Sequence, residues 1–313
     1  MCVLIIKTET TSQYKNFAVI AGYNEAETVT KDVIKINLLQ PYEIKTQEQI
    51  PTKMAPEAIA SVYNNTMYVA GIGDNYSEIW KYNQTSGWLI CASLVQGRRG
   101  HSAAFINEVL YICGGFVVSN KLVLDSVEAY NAITCSNQRT TVGKLAHSVH
   151  QSGNCVSFKN SLFIFGGKDK HNKTLRNVQV YNTKENTCTL VLEPMPHPFS
   201  LMRAALWRTS VILVGCHSCF VFNIETGTWH ERAQFKTGVV NFGLVLESGR
   251  LFVIGGGSWE YDEDGCGEWK YRDDVRYVPL QNILYDKPIE WNVQRKLPRP
   301  SLVHACANVR FSV

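Results

Sequence analysis

A small-residue doublet closes a hydrophobic, strand-like run again and again along this chain. The clearest copies are LYICGG ending at Gly115, LFIFGG ending at Gly167 and LFVIGG ending at Gly256. Eroded copies are FAVIAG ending at Gly22, MYVAG ending at Gly71 and VILVG ending at Gly215. The end points follow one another at intervals of 41 to 52 residues. A repeat of that length with strand content is one propeller blade, and it constrains the fold more than any other feature here.

Each unit reads as four short strands. In the third, GHSAAFIN (Gly100–Asn107) alternates and EVLYICGG (Glu108–Gly115) is a nearly unbroken apolar run, as for a strand covered on both faces. A polar loop, FVVSNKLVLD, leads to SVEAYN (Ser126–Asn131) and a weaker outer strand. The fourth unit repeats this with GNCVSFKN, SLFIFGG, RNVQVYN and TCTLVLE. A second signature keeps the same register. An aromatic or aliphatic residue followed by Asn closes the third strand at Ile36-Asn37, Tyr82-Asn83, Tyr130-Asn131, Tyr181-Asn182 and Phe222-Asn223. Asn suits the turn, because its side chain can bond the backbone two residues on. Trp88 and Trp229 follow two of these turns, where a large ring can pack against the next blade.

An apolar strand ending in a glycine doublet, then a separated Tyr and Trp, resembles the kelch repeat, and the resemblance spans essentially the whole chain. The expected fold is all-β: a monomeric, six-bladed kelch-type β-propeller forming one domain over residues 1–313. Its repeats fall near 1–50, 51–96, 97–146, 147–196, 197–235 and 236–298. Residues 299–313 are expected to return to the first blade as a closing strand, which would remove free sheet edges.

Composition is that of an ordinary globular protein, 45% hydrophobic and 19% charged, and a net charge of +4 gives no argument for nucleic acid or a membrane surface. Several of the 10 cysteines sit inside apolar strand patterns, where Cys acts as a small buried hydrophobe. The apolar start CVLII is too short for a secretory signal, and free thiols suit a reducing compartment, so a cytoplasmic location is expected. Cys216-His217-Ser218-Cys219 is a single CxxC; structural zinc needs four ligands, and a tight hairpin is the better reading. Asp262, Asp264 and Gly265 have the look of a calcium loop, but Asp273 stands where the bidentate Glu belongs, so a solvated loop is expected. No GxSxG, HExxH or Walker-type sequence occurs. No cofactor, metal or catalytic residue is assigned.

A propeller of this kind acts through its loop faces. Residues just after each doublet should crowd one face near the axis: Tyr23, Ile72, Phe116 and Lys168 among them. Segments before each inner strand should reach the same face, with Arg98, Arg99, Ser152, Arg203, Asn241, Arg299 and Ser301. Aromatics and Arg combine contact area with directional bonding, which a protein hot spot needs. The sixth unit carries a long insertion, Gly257–Asp274, whose Trp259 is a further candidate contact. The resemblance implies a protein-interaction module, the substrate-recognition part of a BTB-kelch adaptor for a cullin-RING ubiquitin ligase. Cullin would be reached only through BTB and BACK domains, which these residues do not contain. Two other functions known for kelch propellers stand as alternatives: an actin-associated scaffold, and an enzyme such as galactose oxidase or a sialic-acid mutarotase.

Overall fold

The computed structural model describes residues 14–23, 29–38, 44–47, 49–52, 54–83, 85–134, 140–152, 155–215, 218–234, 239–262, 265–285, 287–288, 290–298, 300 and 302–312. Strand dominates; Leu280–Leu284 is the one α-helix among the described residues.

Five four-stranded antiparallel sheets are each cut from one continuous stretch of chain. Blade 1 comprises Met54–Tyr63, Thr66–Ile72, Glu78–Asn83 and Gly87–Ser93. Blade 2 comprises Ser102–Ile106, Val109–Cys113, Ser126–Asn131 and Thr140–Lys144. Blade 3 comprises Val156–Phe158, Ser161–Phe165, Val178–Asn182 and Thr187–Leu190. Blade 4 comprises Arg203–Trp207, Ser210–Val214, Ser218–Asn223 and Trp229–Gln234. Blade 5 comprises Gly243–Glu247, Arg250–Ile254, Asp274–Pro279 and Asn292–Lys296.

The expected six-bladed propeller closed by a C-terminal strand is corrected accordingly. Five blades follow the repeat. The remaining strands form a composite terminal sheet in the order Leu302–Ser312, Tyr14–Tyr23, Val29–Asn37, Ile44–Gln47. It differs in kind because Tyr14–Tyr23 pairs with neighbours from opposite ends of the sequence, running from Tyr14 opposite Ser312 to Tyr23 opposite Leu302 on one side. The inner strands of blades 1 to 5 are neighbours in chain order, and Leu302–Ser312 lies between those of blades 5 and 1.

Two segments expected as loops are hairpins. Phe116–Val117 pairs with Leu122–Val123, and Gly257–Tyr261 pairs with Gly267–Tyr271. In the second, alternation places Trp259 opposite Trp269, an aromatic cross-strand pair with ring centroids 5.7 Å apart, which favours a strand ladder over a solvated loop.

Neighbouring sheets share apolar cores. Ile59, Tyr68 and Ile79 of blade 1 meet Leu110, Ile112 and Tyr130 of blade 2. Phe163, Phe165 and Val178 of blade 3 meet Leu213, Phe220 and Phe222 of blade 4. Tyr82, Tyr130, Tyr181 and Phe222 hold the same place, next to last in the third strand and buried. Trp88 pairs with Tyr82 and Trp229 with Phe222, and Cys188 takes that place opposite Tyr181. The Asn after each aromatic builds its turn: Oδ1 of Asn83, Asn131, Asn182 and Asn223 each accepts the amide two residues on, at 2.9 to 3.0 Å.

The glycine doublet lets the end of a second strand lie close against the segment that leads into the inner strand. At Gly167 (φ +89°) a Cβ would lie 2.6 Å from Cγ2 of Val149 and 2.7 Å from the carbonyl oxygen of His150.

Candidate functional site

Residues just after the doublets are stitched to the segments before the inner strands. Arg99 and Phe116 exchange backbone hydrogen bonds of 3.0 and 2.8 Å, His150 and Lys168 of 3.0 and 2.7 Å, and Val240 and Gly257 of 2.9 and 3.0 Å. Blades 2, 3 and 5 thus present the same bridge on one face. Next to each bridge the chain turns through a left-handed residue: Gly100 (φ 60°), Gln151 (φ 53°) and Asn241 (φ 52°), with Glu57 (φ 64°) and Leu201 (φ 58°) at the same place in blades 1 and 4. These residues link to one another. The amide of Gln151 donates to the carbonyl of Gly100 at 2.7 Å, and that of Leu201 to the carbonyl of Gln151 at 2.8 Å.

Beside this chain of bonds lies a pocket of ≈ 250 Å³, lined by Glu57, Arg99, Phe116, Lys121, Val123, His150, Gln151, Asp169, Lys170 and Asn172. Its wall is a stack. The Arg99 guanidinium lies 5.6 Å from the Phe116 ring centre, and the Phe116 and His150 rings are 5.6 Å apart. Burial lowers the His150 pKa, as do Lys168 and Arg99, while Asp169 pulls it up. Burial raises the Glu57 carboxyl above its usual range, opposed by a hydrogen bond from Gln151 and by Arg99, Arg203 and Lys168. Asp169 spends Oδ1 on the amides of His171 (2.8 Å) and Lys173 (2.9 Å), which builds its own loop. Cations therefore prevail around an aromatic wall, an arrangement that can hold a carboxylate-bearing chain segment.

The residues expected on this face divide. Arg99, Phe116 and Lys168 meet at or beside the pocket, with Lys168 and Asn241 half-buried. Ile72, Arg98, Ser152 and Arg203 are buried in the framework. Arg98 is ion-paired with Glu128, which is also buried, and donates to the carbonyl of Gly114 at 3.0 Å. Ser152 bonds Ser102, oxygen to oxygen, at 2.6 Å. Arg203 donates to the carbonyls of Phe242 (3.1 Å), Met202 (3.3 Å) and Val303 (3.5 Å), tying blades 4 and 5 to the terminal sheet. Burial lowers both guanidinium pKa values; Glu128 opposes this at Arg98 and Glu57 at Arg203. Tyr23 ends its strand opposite Leu302 and Val29. Trp259 is 58% exposed on the blade 5 hairpin, beside Tyr261 at 70%. Arg299 and Ser301 lie outside the described residues. Sequence reasoning missed Glu57, His150, Lys121 and Lys170. The nearest signal was Ser152, which points to the segment that also carries His150.

Cys216 and His217 lie outside the described residues, and Cys219 is buried in the core shared by blades 4 and 5. Among the described residues no group of three or more His, Cys, Asp or Glu comes together as a metal site. The carboxylate of Asp262 accepts the Cys266 amide at 2.7 Å, closing the hairpin end. Burial pushes the Cys155 and Cys219 thiols up to about 12, and raises Cys113 well above its usual value. Native alkylation followed by mass spectrometry should label exposed Cys266 first, and Cys113, Cys155 and Cys219 only on unfolding. Rapid labelling of Cys113 in the folded protein would contradict this burial.

The kelch motif family matches residues 97–143 and 153–191, which span blades 2 and 3. Kelch-like protein 25 of Xenopus tropicalis is 26% identical over 193 residues, covering 57% of this chain and 32% of the relative. Kelch-like protein 35 of Mus musculus is 24% identical over 234 residues, covering 72% and 40%. Kelch-like protein 38 of Homo sapiens is 21% identical over 329 residues, covering 99% and 52%. The chain spans about a third to a half of the length of these relatives. A solved structure, "Structure of YjhT", shares the fold with a TM-score of 0.65 at 14% identity, over 80% of this chain and 88% of that one. With its blades, its glycine doublets and these relatives, the chain is a β-propeller that carries kelch motifs in blades 2 and 3 and resembles the Kelch-like proteins.

Proposed function

We propose that this chain is a non-enzymatic protein-binding domain whose pocket between blades 2 and 3 holds a short acidic or mixed segment of a partner. The observation that carries this is the Arg99–Phe116–His150 stack among Lys121, Lys168 and Lys170. Arg offers a fixed fork of donors to a carboxylate or carbonyl, and the aromatic wall adds contact area at little entropy cost. Similarity to the Kelch-like proteins supports an interaction domain. In the finer reading it is the substrate-recognition domain of a BTB-kelch adaptor for a cullin-RING ubiquitin ligase. It would work in the cytoplasm and reach cullin through BTB and BACK domains lying outside these residues.

The test uses proteins captured with the wild-type propeller as bait. Arg99→Ala and Phe116→Ala should each weaken binding of a captured partner by about 1–2 kcal/mol, roughly 5- to 30-fold, with melting temperature nearly unchanged. If both variants unfold the domain, or neither moves any affinity, these residues are structural and the binding surface lies elsewhere, with the Trp259–Tyr271 hairpin the next candidate.

A further inference from the structure

One half-buried carboxylate stands among the cations that line the pocket. Glu57 sits where the inner strand of blade 1 is irregular between Met54 and Ile59. Its Oε1 accepts Nε2 of Gln151 at 2.8 Å, from blade 1 to blade 3 with blade 2 between them. Gly100 permits the reach: a Cβ there would lie 2.8 Å from Oε2 of Glu57 and 3.2 Å from the Gln151 amide nitrogen. Arg99, Arg203 and Lys168 all act on this carboxylate. The pocket's other carboxylate, Asp169, is committed to its own loop.

We propose that Glu57 is the specificity-determining residue of the pocket, selecting a segment that offers one carboxylate beside a hydroxyl or amide donor and rejecting runs of adjacent acidic residues. The inference rests on the pocket-binding reading above. Arg99 with Lys121, Lys168 and Lys170 would by themselves hold a polyanionic segment most tightly. A fixed anion in the same small space repels a second ligand carboxylate and accepts from a donor, so discrimination comes from a repulsive element.

The burial that raises Glu57 gives the selection a pH dependence. As pH falls through its folded pKa the carboxylate takes a proton, the repulsion disappears, and doubly acidic segments bind more tightly. His150 is shifted the opposite way by burial, Lys168 and Arg99, against Asp169, so its own charge, which also favours an acidic segment, appears below the usual histidine range.

The experiment pans a random dodecapeptide display library against the whole chain, wild type and Glu57→Gln, at neutral pH. Gln keeps an acceptor for Gln151 and removes the charge. The wild type should enrich peptides with one acidic residue next to a Ser, Thr, Asn or Gln. Glu57→Gln should enrich peptides with adjacent acidic residues and bind them about tenfold more tightly than the wild type does. Wild-type affinity for those peptides should rise more steeply on acidification than that of the variant, in which only His150 still gains charge. Identical enrichment and equal affinities would overturn the inference while leaving Arg99-dependent binding in place. Absence of any peptide whose binding is lost in Arg99→Ala would overturn the docking reading, and this inference with it. If Glu57→Gln does not fold, a wild-type affinity for doubly acidic peptides that does not change with pH overturns the inference without the variant.

Discussion

Arg98→Val is expected to destabilise the fold by about 3–5 kcal/mol, the usual consequence of stranding one member of a buried ion pair. Arg98 and Glu128 are 1% and 4% exposed at the side chain. Glu128 also accepts the Val95 amide at 2.7 Å, and Arg98 donates to Ser126 Oγ and the Gln96 carbonyl, each at 3.0 Å. Without the guanidinium, a carboxylate is left inside the joint between blades 1 and 2 with amides alone for partners. The next joint shows a neutral solution. There Val149 stands in the place of Arg98 and Gln179 in that of Glu128. Gln179 accepts the His147 amide at 2.8 Å and donates to the His147 carbonyl at 3.2 Å. Importing that pair as Arg98→Val with Glu128→Gln should recover most of the loss. Urea unfolding of both single variants and the double variant checks this; a double variant as unstable as the sum of the singles would show that the pair is not what the joint depends on.

Gly167→Ala should cost about 3 kcal/mol or more, beyond the 1–2 kcal/mol of a left-handed alanine. The added carbon would press on the His150 carbonyl and on Cα of Ser152, 3.0 Å away, and backbone there has little room to give. Gly249 is the control. It is also left-handed (φ +70°), and a Cβ added there would meet nothing within 4 Å, so its alanine variant should lose only the conformational part. Equal thermal shifts for the two variants would mean that the close backbone approach at Gly167 contributes nothing. Because His150 and Lys168 flank Gly167, the Gly167 variant should also bind the pocket's peptide more weakly.

The repeat was legible because its signals are local. The doublet, the aromatic-Asn pair and the Trp partner each act within one blade, and each occupies the place its pattern implies, even where Cys188 replaces Trp opposite Tyr181. The composite sheet was harder to classify, since its pairing joins residues some three hundred positions apart. The hairpin at Gly257–Tyr271 read as a charged loop because Glu260, Glu268 and Lys270 alternate with the aromatics that form its ladder. For the site, spacing located the face but could not separate Arg98 from Arg99. Adjacent strand-like residues point to opposite sides, so one guanidinium is buried against Glu128 while its neighbour lies over Phe116. Glu57 was illegible because its role depends on a missing side chain at Gly100 in another blade.

The backbone bonds from Gln151 to Gly100 and from Leu201 to Gln151 run around the axis and do not pass through any side chain a partner would touch. A visiting peptide therefore meets a mouth already set to its final shape, and the loss of freedom on complex formation falls on the visitor. Encounter need not wait for the receptor to rearrange, so different partners should arrive at similar rates and differ mainly in how long they stay.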